Sequence, residues 1–159
     1  MNGPQLSPHD TECQVPFSIR NPLVRVIIQD NVSNNNNGQG NHWAGTAKAK
    51  KRIFSKCKKA EYFRYSERRH LFLPASIKEC SIPSRQAVNI IATRVLGPKQ
   101  RLWDADSILR GEFKQVMDSL VQLGIIEDDG PKFVKHCLGM QDSTRRSDGP
   151  SFEVDFYEA

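Results

Sequence analysis

Apolar and polar positions alternate in a way that divides the chain into short segments. Leu23–Gln29, LVRVIIQ, sets β-branched residues in quick succession and predicts a strand. Residues 1–21 before it are rich in Pro, Ser, Asn and Gln. Such a stretch cannot offset its ordering entropy by burial, so a flexible N-terminal segment is expected. After the strand, DNVSNNNNGQGN over Asp30–Asn41 is polar and turn-prone: a plain surface loop, or one shaped for a ligand. From Thr46 to Arg69 the spacing predicts one helix, with Ile53, Cys57, Ala60 and Phe63 or Arg64 on an apolar side and the lysines facing solvent. Pro74 and Pro83 argue against an uninterrupted helix or central strand across Leu71–Ser84.

Gln86–Leu96, QAVNIIATRVL, is the strongest strand signal. Its alternation places Val88, Ile90, Ala92 and Arg94 on one face and Ala87, Asn89, Ile91, Thr93 and Val95 on the other. Beyond the turn signal Gly97-Pro98, SILRGEFKQVMDSLVQLG predicts a helix whose stripe is Leu109, Phe113, Val116 and Leu120, with Met117 and Leu123 beside it and Gly124 as terminator. Gly111 inside a helix costs about 1 kcal/mol, which favours a regular helix beginning only at Glu112. Phe133–Gly139 and Phe152–Tyr157 read as strands separated by a polar hairpin or loop, QDSTRRSDGPS. The order predicts an α+β fold over residues 22–159, with helices against a small, mainly antiparallel sheet.

At 159 residues the chain suits one domain. Its 23 Lys and Arg against 18 Asp and Glu give a formal charge of +5, consistent with a polyanionic partner. The distribution is more telling. Lys48 to Arg69 holds ten bases and only Glu61 and Glu67 as acids, whereas Glu127 to Ala159 carries eight acids against four bases. Cys13, Cys57, Cys80 and Cys137 form no CxxC pair, so neither a zinc knuckle nor a disulfide scaffold is signalled. His136 beside Cys137 would point to the opposite strand face. No apolar run is long enough to span a bilayer and the first residues lack a signal-peptide pattern, so a soluble, cytoplasmic protein is expected.

Candidate chemistry lies around the second helix. Asp104 and Asp106 alternate, so an extended backbone would turn both to one side, and carboxylates of this kind hold magnesium at phosphodiester-cleaving sites. Lys114 and Asp118 share a helix face, either as a phosphate-neutralising group or as an ordinary surface pair. Asp128 and Asp129 follow the helix. A helix over residues 107–123 would run about 25 Å, so the two acid groups meet only if residues 125–129 turn back or a second subunit contributes. Plainer readings remain beside these: Asp106 or Ser107 as a helix cap, and Asp128-Asp129-Gly130-Pro131 as a turn.

These residues resemble the RusA-type Holliday junction resolvases, a family widespread in bacteriophages and prophages. The family pattern is D-x-D at a strand end, a helix bearing Lys and then Asp four residues on, a closing Gly, and a D-D pair. Asp104 and Asp106, Lys114 and Asp118, Gly124, and Asp128 with Asp129 match it in turn. The resemblance implies a magnesium-dependent endonuclease, with manganese as a substitute, that makes paired incisions at four-way DNA junctions as a homodimer, in recombination and repair. It assigns Asp104, Asp106 and Asp129 to the metal and to catalysis and Lys114 to the phosphate, with Asp118 and Asp128 supporting. The interval from Asp106 to Lys114 exceeds the family's by about four residues, close to one helical turn, which leaves Arg110 as an alternative cation. Lys48, Lys50, Lys51, Arg52, Lys56, Lys58 and Lys59 would contact DNA phosphates unless they are simply a solvated face. Trp43 would stack on exposed nucleotides or cap the core edge. Two alternatives stand beside this: an inactive branched-DNA-binding protein of the same fold, and a metal nuclease for flaps or other branched DNA.

Overall fold

In the computed structural model, residues 21–30, 46–104 and 107–159 are described; the expected N-terminal segment 1–20, the Asn-rich loop with His42 and Trp43, and Asp106 lie outside them. Strand β1 (Val24–Ile28) buries Val24, Val26 and Ile28 on one face, as its alternation requires. Helix α1 (Ala47–Lys58) follows, capped by the Thr46 hydroxyl, which accepts the Ala49 N–H at 3.2 Å. Its buried residues Ala49, Ile53 and Cys57 stand four apart on one face.

The helix expected to reach Arg69 stops at Lys58. Glu61–Ser66, EYFRYS, instead forms β2, because its aromatic run suits a pleated surface and β1 offers an antiparallel edge with Tyr62 opposite Val26. The Tyr62 hydroxyl donates to the Cys57 carbonyl at 2.6 Å, tying the helix end to the new strand. Within Leu71–Ser84, β3 (Leu71–Pro74) pairs with β2 and reaches Pro74 only at its end.

Strand β4 (Val88–Val95) is buried along nearly its whole length. Helix α2 (Phe113–Gln122) then crosses to β5 (Val134–Asp142), and the chain ends in β6 (Ser151–Glu158). The six strands form one sheet in the order β3-β2-β1-β6-β4-β5. It is a mixed sheet: β4 and β5 run parallel, and the other four pairings are antiparallel. A parallel pair needs a crossover, which the segment carrying α2 provides. Strands β5 and β6 do not pair with each other, so residues 143–150 form a connection across β4 and not a hairpin.

Both helices cover the sheet face carrying Val24, Val26, Ile28, Val88, Ile90, Ala92, Phe152, Val154 and Phe156, and the core lies between. Ile108, not Leu109, enters that core; Leu109 remains 37% exposed. Gly111 adopts φ +70°, which breaks the helical path and explains why α2 starts only after Glu112. At the other end Gly124 sits at φ +78°, while its N–H and that of Ile125 donate to the Val121 and Leu120 carbonyls at 2.9 Å each. This is the glycine-closed helix end that the sequence predicts. Among the described residues no helix is long and apolar enough to cross a membrane.

Candidate functional site

After Gly124 the chain doubles back. Ile125 and Ile126 are buried, and the Ile125 carbonyl accepts the Ile82 N–H at 2.8 Å. Glu127 fastens the next step, accepting the Ser84 hydroxyl at 2.7 Å and the Arg85 N–H at 2.8 Å, and these two bonds hold its carboxyl below the ordinary value. Gly130 then closes the turn into β5, its carbonyl accepting the Phe133 and Val134 N–H groups at 2.9 Å.

The return brings Asp129 to the first turn of α2. The Lys114 ammonium donates to Asp118 at 2.7 Å and to Asp129 at 2.5 Å. Its hydrogen bonds to Asp118 first and to Asp129 second push the lysine up to about 12. A fully charged lysine between two carboxylates, one of them Asp129 with 25% of its side chain exposed, faces solvent. Beneath it lies a pocket of ≈170 Å³ walled by Ile90, Leu109, Phe113, Met117, Val134 and Cys137. Burial raises the Cys137 thiol to about 11, so it is a neutral wall group at neutral pH.

The Asp104 end is anchored elsewhere on β5. Gln141 holds Trp103 by two bonds, accepting its N–H at 2.8 Å and donating to its carbonyl at 2.9 Å, and the Arg94 guanidinium stacks 3.8 Å from the Trp103 ring centre. From there the chain descends β5. Ile108 packs so close to Gly139 that a Cβ there would lie 2.8 Å from the Ile108 Cβ, and Leu109 and Phe113 join Cys137 around the pocket. Gln141 and Cys137 are four residues apart, about 13 Å along a strand. Exposed Asp104 begins this descent and the Lys114–Asp118–Asp129 group ends it; Asp106 is outside the described residues. Asp128 is exposed beside Asp129, and Arg110 is exposed on the turn before Gly111. Among the described residues no three His, Cys, Asp or Glu side chains converge as a metal-holding group.

The basic helix divides into two kinds of residue. Lys48, Lys50, Lys51, Lys58 and Lys59 are exposed. Lys56 instead pairs with Asp30 at 2.8 Å, and Arg52 reaches across to the Glu112 carboxylate, which is 1% exposed, joining α1 to the start of α2. Charge counting does not separate these, because the partner acids lie far away in sequence. No family model, curated protein sequence or solved structure matches the chain.

Proposed function

We propose that the protein is a metal-dependent endonuclease for branched DNA, with a RusA-like arrangement of its α+β fold. The observation that carries this reading is the reversal after Gly124, which sets Asp129 against Lys114 and Asp118 on a solvent-facing surface. Residues 125–129 thereby supply the return that the acid pair needs if it is to serve one site within a subunit. The oxygen-only character of Asp104, Asp106 and Asp129 suits magnesium or manganese, and these three would hold it. When bound, the ion would supply a hydroxide nucleophile and stabilise charge on the leaving oxygen. Lys114 stays protonated at neutral pH and presents its ammonium to an incoming phosphate, while Asp118 keeps it aimed from one turn away. The exposed lysines of α1 position the DNA by its phosphates, and a homodimer places two such sites on a four-way junction.

Offering synthetic four-way junction and linear duplex to the protein, with and without magnesium, tests this. Symmetric junction cuts that disappear in Asp104→Asn and Asp129→Asn, with binding retained, are expected; unchanged cutting by either variant removes that residue from the mechanism. Lys114→Met is expected to lower cutting about a hundredfold, the size typical of losing one transition-state donor.

A second reading is a junction-binding protein without catalysis. The Gln141 anchor of Trp103, well along β5 from Asp129, and the lysine already neutralised by two carboxylates favour it. Magnesium-independent junction binding with no incision is its signature.

A further inference from the structure

Three bases of the Lys48–Arg69 tract leave α1 altogether. Arg64 lies on β2, and Arg68 and Arg69 lie in the turn between β2 and β3, all exposed. Arg64 and Arg68 line a cleft of ≈460 Å³, with Ser66 and Glu67 beside them and Glu79 and Ser81 across from them.

The arginines there have donors to spare. Among the described residues Arg64 donates only to the Glu79 carbonyl, at 3.4 Å, and Arg68 makes no ion pair or side-chain hydrogen bond. A guanidinium carries five N–H donors, so most of theirs face the cleft or solvent. The Glu79 carboxylate is already engaged: it accepts the Ser76 N–H at 2.7 Å while Ser76 Oγ accepts the Glu79 N–H at 3.3 Å, a reciprocal pair that closes the turn over residues 77–80. Between Arg64 and Arg85 five Lys and Arg stand against Glu67 and Glu79. Two non-glycine residues next to the lining, His70 at φ +51° and Arg85 at φ +67°, take the left-handed conformation, which persists only where surrounding bonds enforce it. For Arg85 those bonds are the ones that Glu127 accepts from Ser84 and Arg85.

Those same bonds connect the cleft to the Lys114 group. Ser81, Ile82, Pro83 and Gln86 line one side of the cleft, and this segment holds the Ile125–Asp129 return through the Ile82 N–H on the Ile125 carbonyl and the bonds from Ser84 and Arg85 to Glu127.

We propose that the cleft is a second phosphate-binding site, distinct from the face of α1, in which Arg64 and Arg68 grip the sugar–phosphate backbone of a nucleic-acid strand. The choice of nucleic acid as the anion rests on the nuclease reading; the binding itself needs no metal and no incision. Glu67 and Glu79 are the opposing charges that weaken it.

Fluorescence anisotropy with labelled four-way junction and duplex DNA, in chelator and across a salt series, tests this on the full chain. Arg64→Gln with Arg68→Gln is expected to weaken binding about tenfold at low salt and to flatten the log–log salt slope by about 1.8, since each phosphate contact on duplex contributes about 0.9. Arg64→Lys with Arg68→Lys should keep most of the affinity and of the slope, and Glu67→Gln should tighten binding severalfold. A thermal melt within a few degrees of the parent shows that the exposed substitutions leave the fold intact. Unchanged DNA affinity and slope in the glutamine pair overturn the proposal. So does a loss confined to poly-aspartate, which would assign the cleft to an acidic protein partner. Loss of DNA binding through the cleft in a protein that never cuts would leave this site standing and remove only the catalytic reading.

Discussion

Arginines meet two fates in this chain, and the contrast separates architecture from availability. On the sheet face opposite the helices, Arg25 grips Asp155 by two bonds of 2.7 and 2.9 Å and lies 4.8 Å from the Phe72 ring centre. Arg145 does the same to Glu153 at 2.9 and 3.1 Å, while its Nε reaches Asp142 at 2.6 Å. Arg64 and Arg68 have no such partners. The difference originates in the acids. Glu153 and Asp155 belong to β6, flanked by β1 and β4, and each is only 6% exposed. Burial pushes the Asp155 carboxyl up even against the hydrogen bonds from Arg25, so the strand tolerates the charge only while its partner stays.

Arg25→Ala should therefore cost about 3 kcal/mol or more in chemical denaturation, because it leaves Asp155 buried and unpaired. Arg68→Ala should fall within about 0.5 kcal/mol of the parent. If the two variants unfold together, the division between locked and available arginines is wrong. A smaller effect tests the return that builds the candidate site. Gly124 stands at φ +78° with nothing near enough to obstruct a Cβ, so Gly124→Ala isolates the backbone cost and should lower stability by about 1 kcal/mol. An unchanged midpoint would show that the return does not depend on glycine there.

The sequence is most legible where one rule acts alone. Alternation locates β1, β4, β5 and β6 to within a few residues, and Gly111 and Gly124 mark both ends of α2. It misleads at Glu61–Ser66, where helical spacing continues on paper but the free edge of β1 claims the aromatic residues. The parallel pairing of β4 with β5 is invisible locally, since register depends on where the crossover returns. The candidate site shows the same limit. Lys114 and Asp118 follow from helix geometry, but the approach of Asp129 depends on bonds from Ile82, Ser84 and Arg85, a segment whose two prolines gave no usable pattern. The pairs Arg25–Asp155 and Arg52–Glu112 span 130 and 60 residues, beyond any local reading.

The smallest effect concerns the connection between β5 and β6. Asp142 accepts the Thr144 hydroxyl and the Arg145 Nε at 2.6 Å each and the Thr144 N–H at 2.8 Å, and these bonds hold its carboxyl well below the ordinary carboxylate value. For a group shifted in that direction the stabilisation is fully present above the unfolded-state value, about 3.9, and fades as pH falls toward the folded-state one. The pair is only partly buried, so Asp142→Asn should cost less than about 1 kcal/mol near neutrality. The gap between parent and variant should then close as acid protonates Asp142 in the parent. Urea midpoints measured from neutral pH downward give that gap directly. A gap that stays constant on acidification would mean that the shape of the loop, and not the ionised carboxylate, fixes Arg145 in its place beside Glu153.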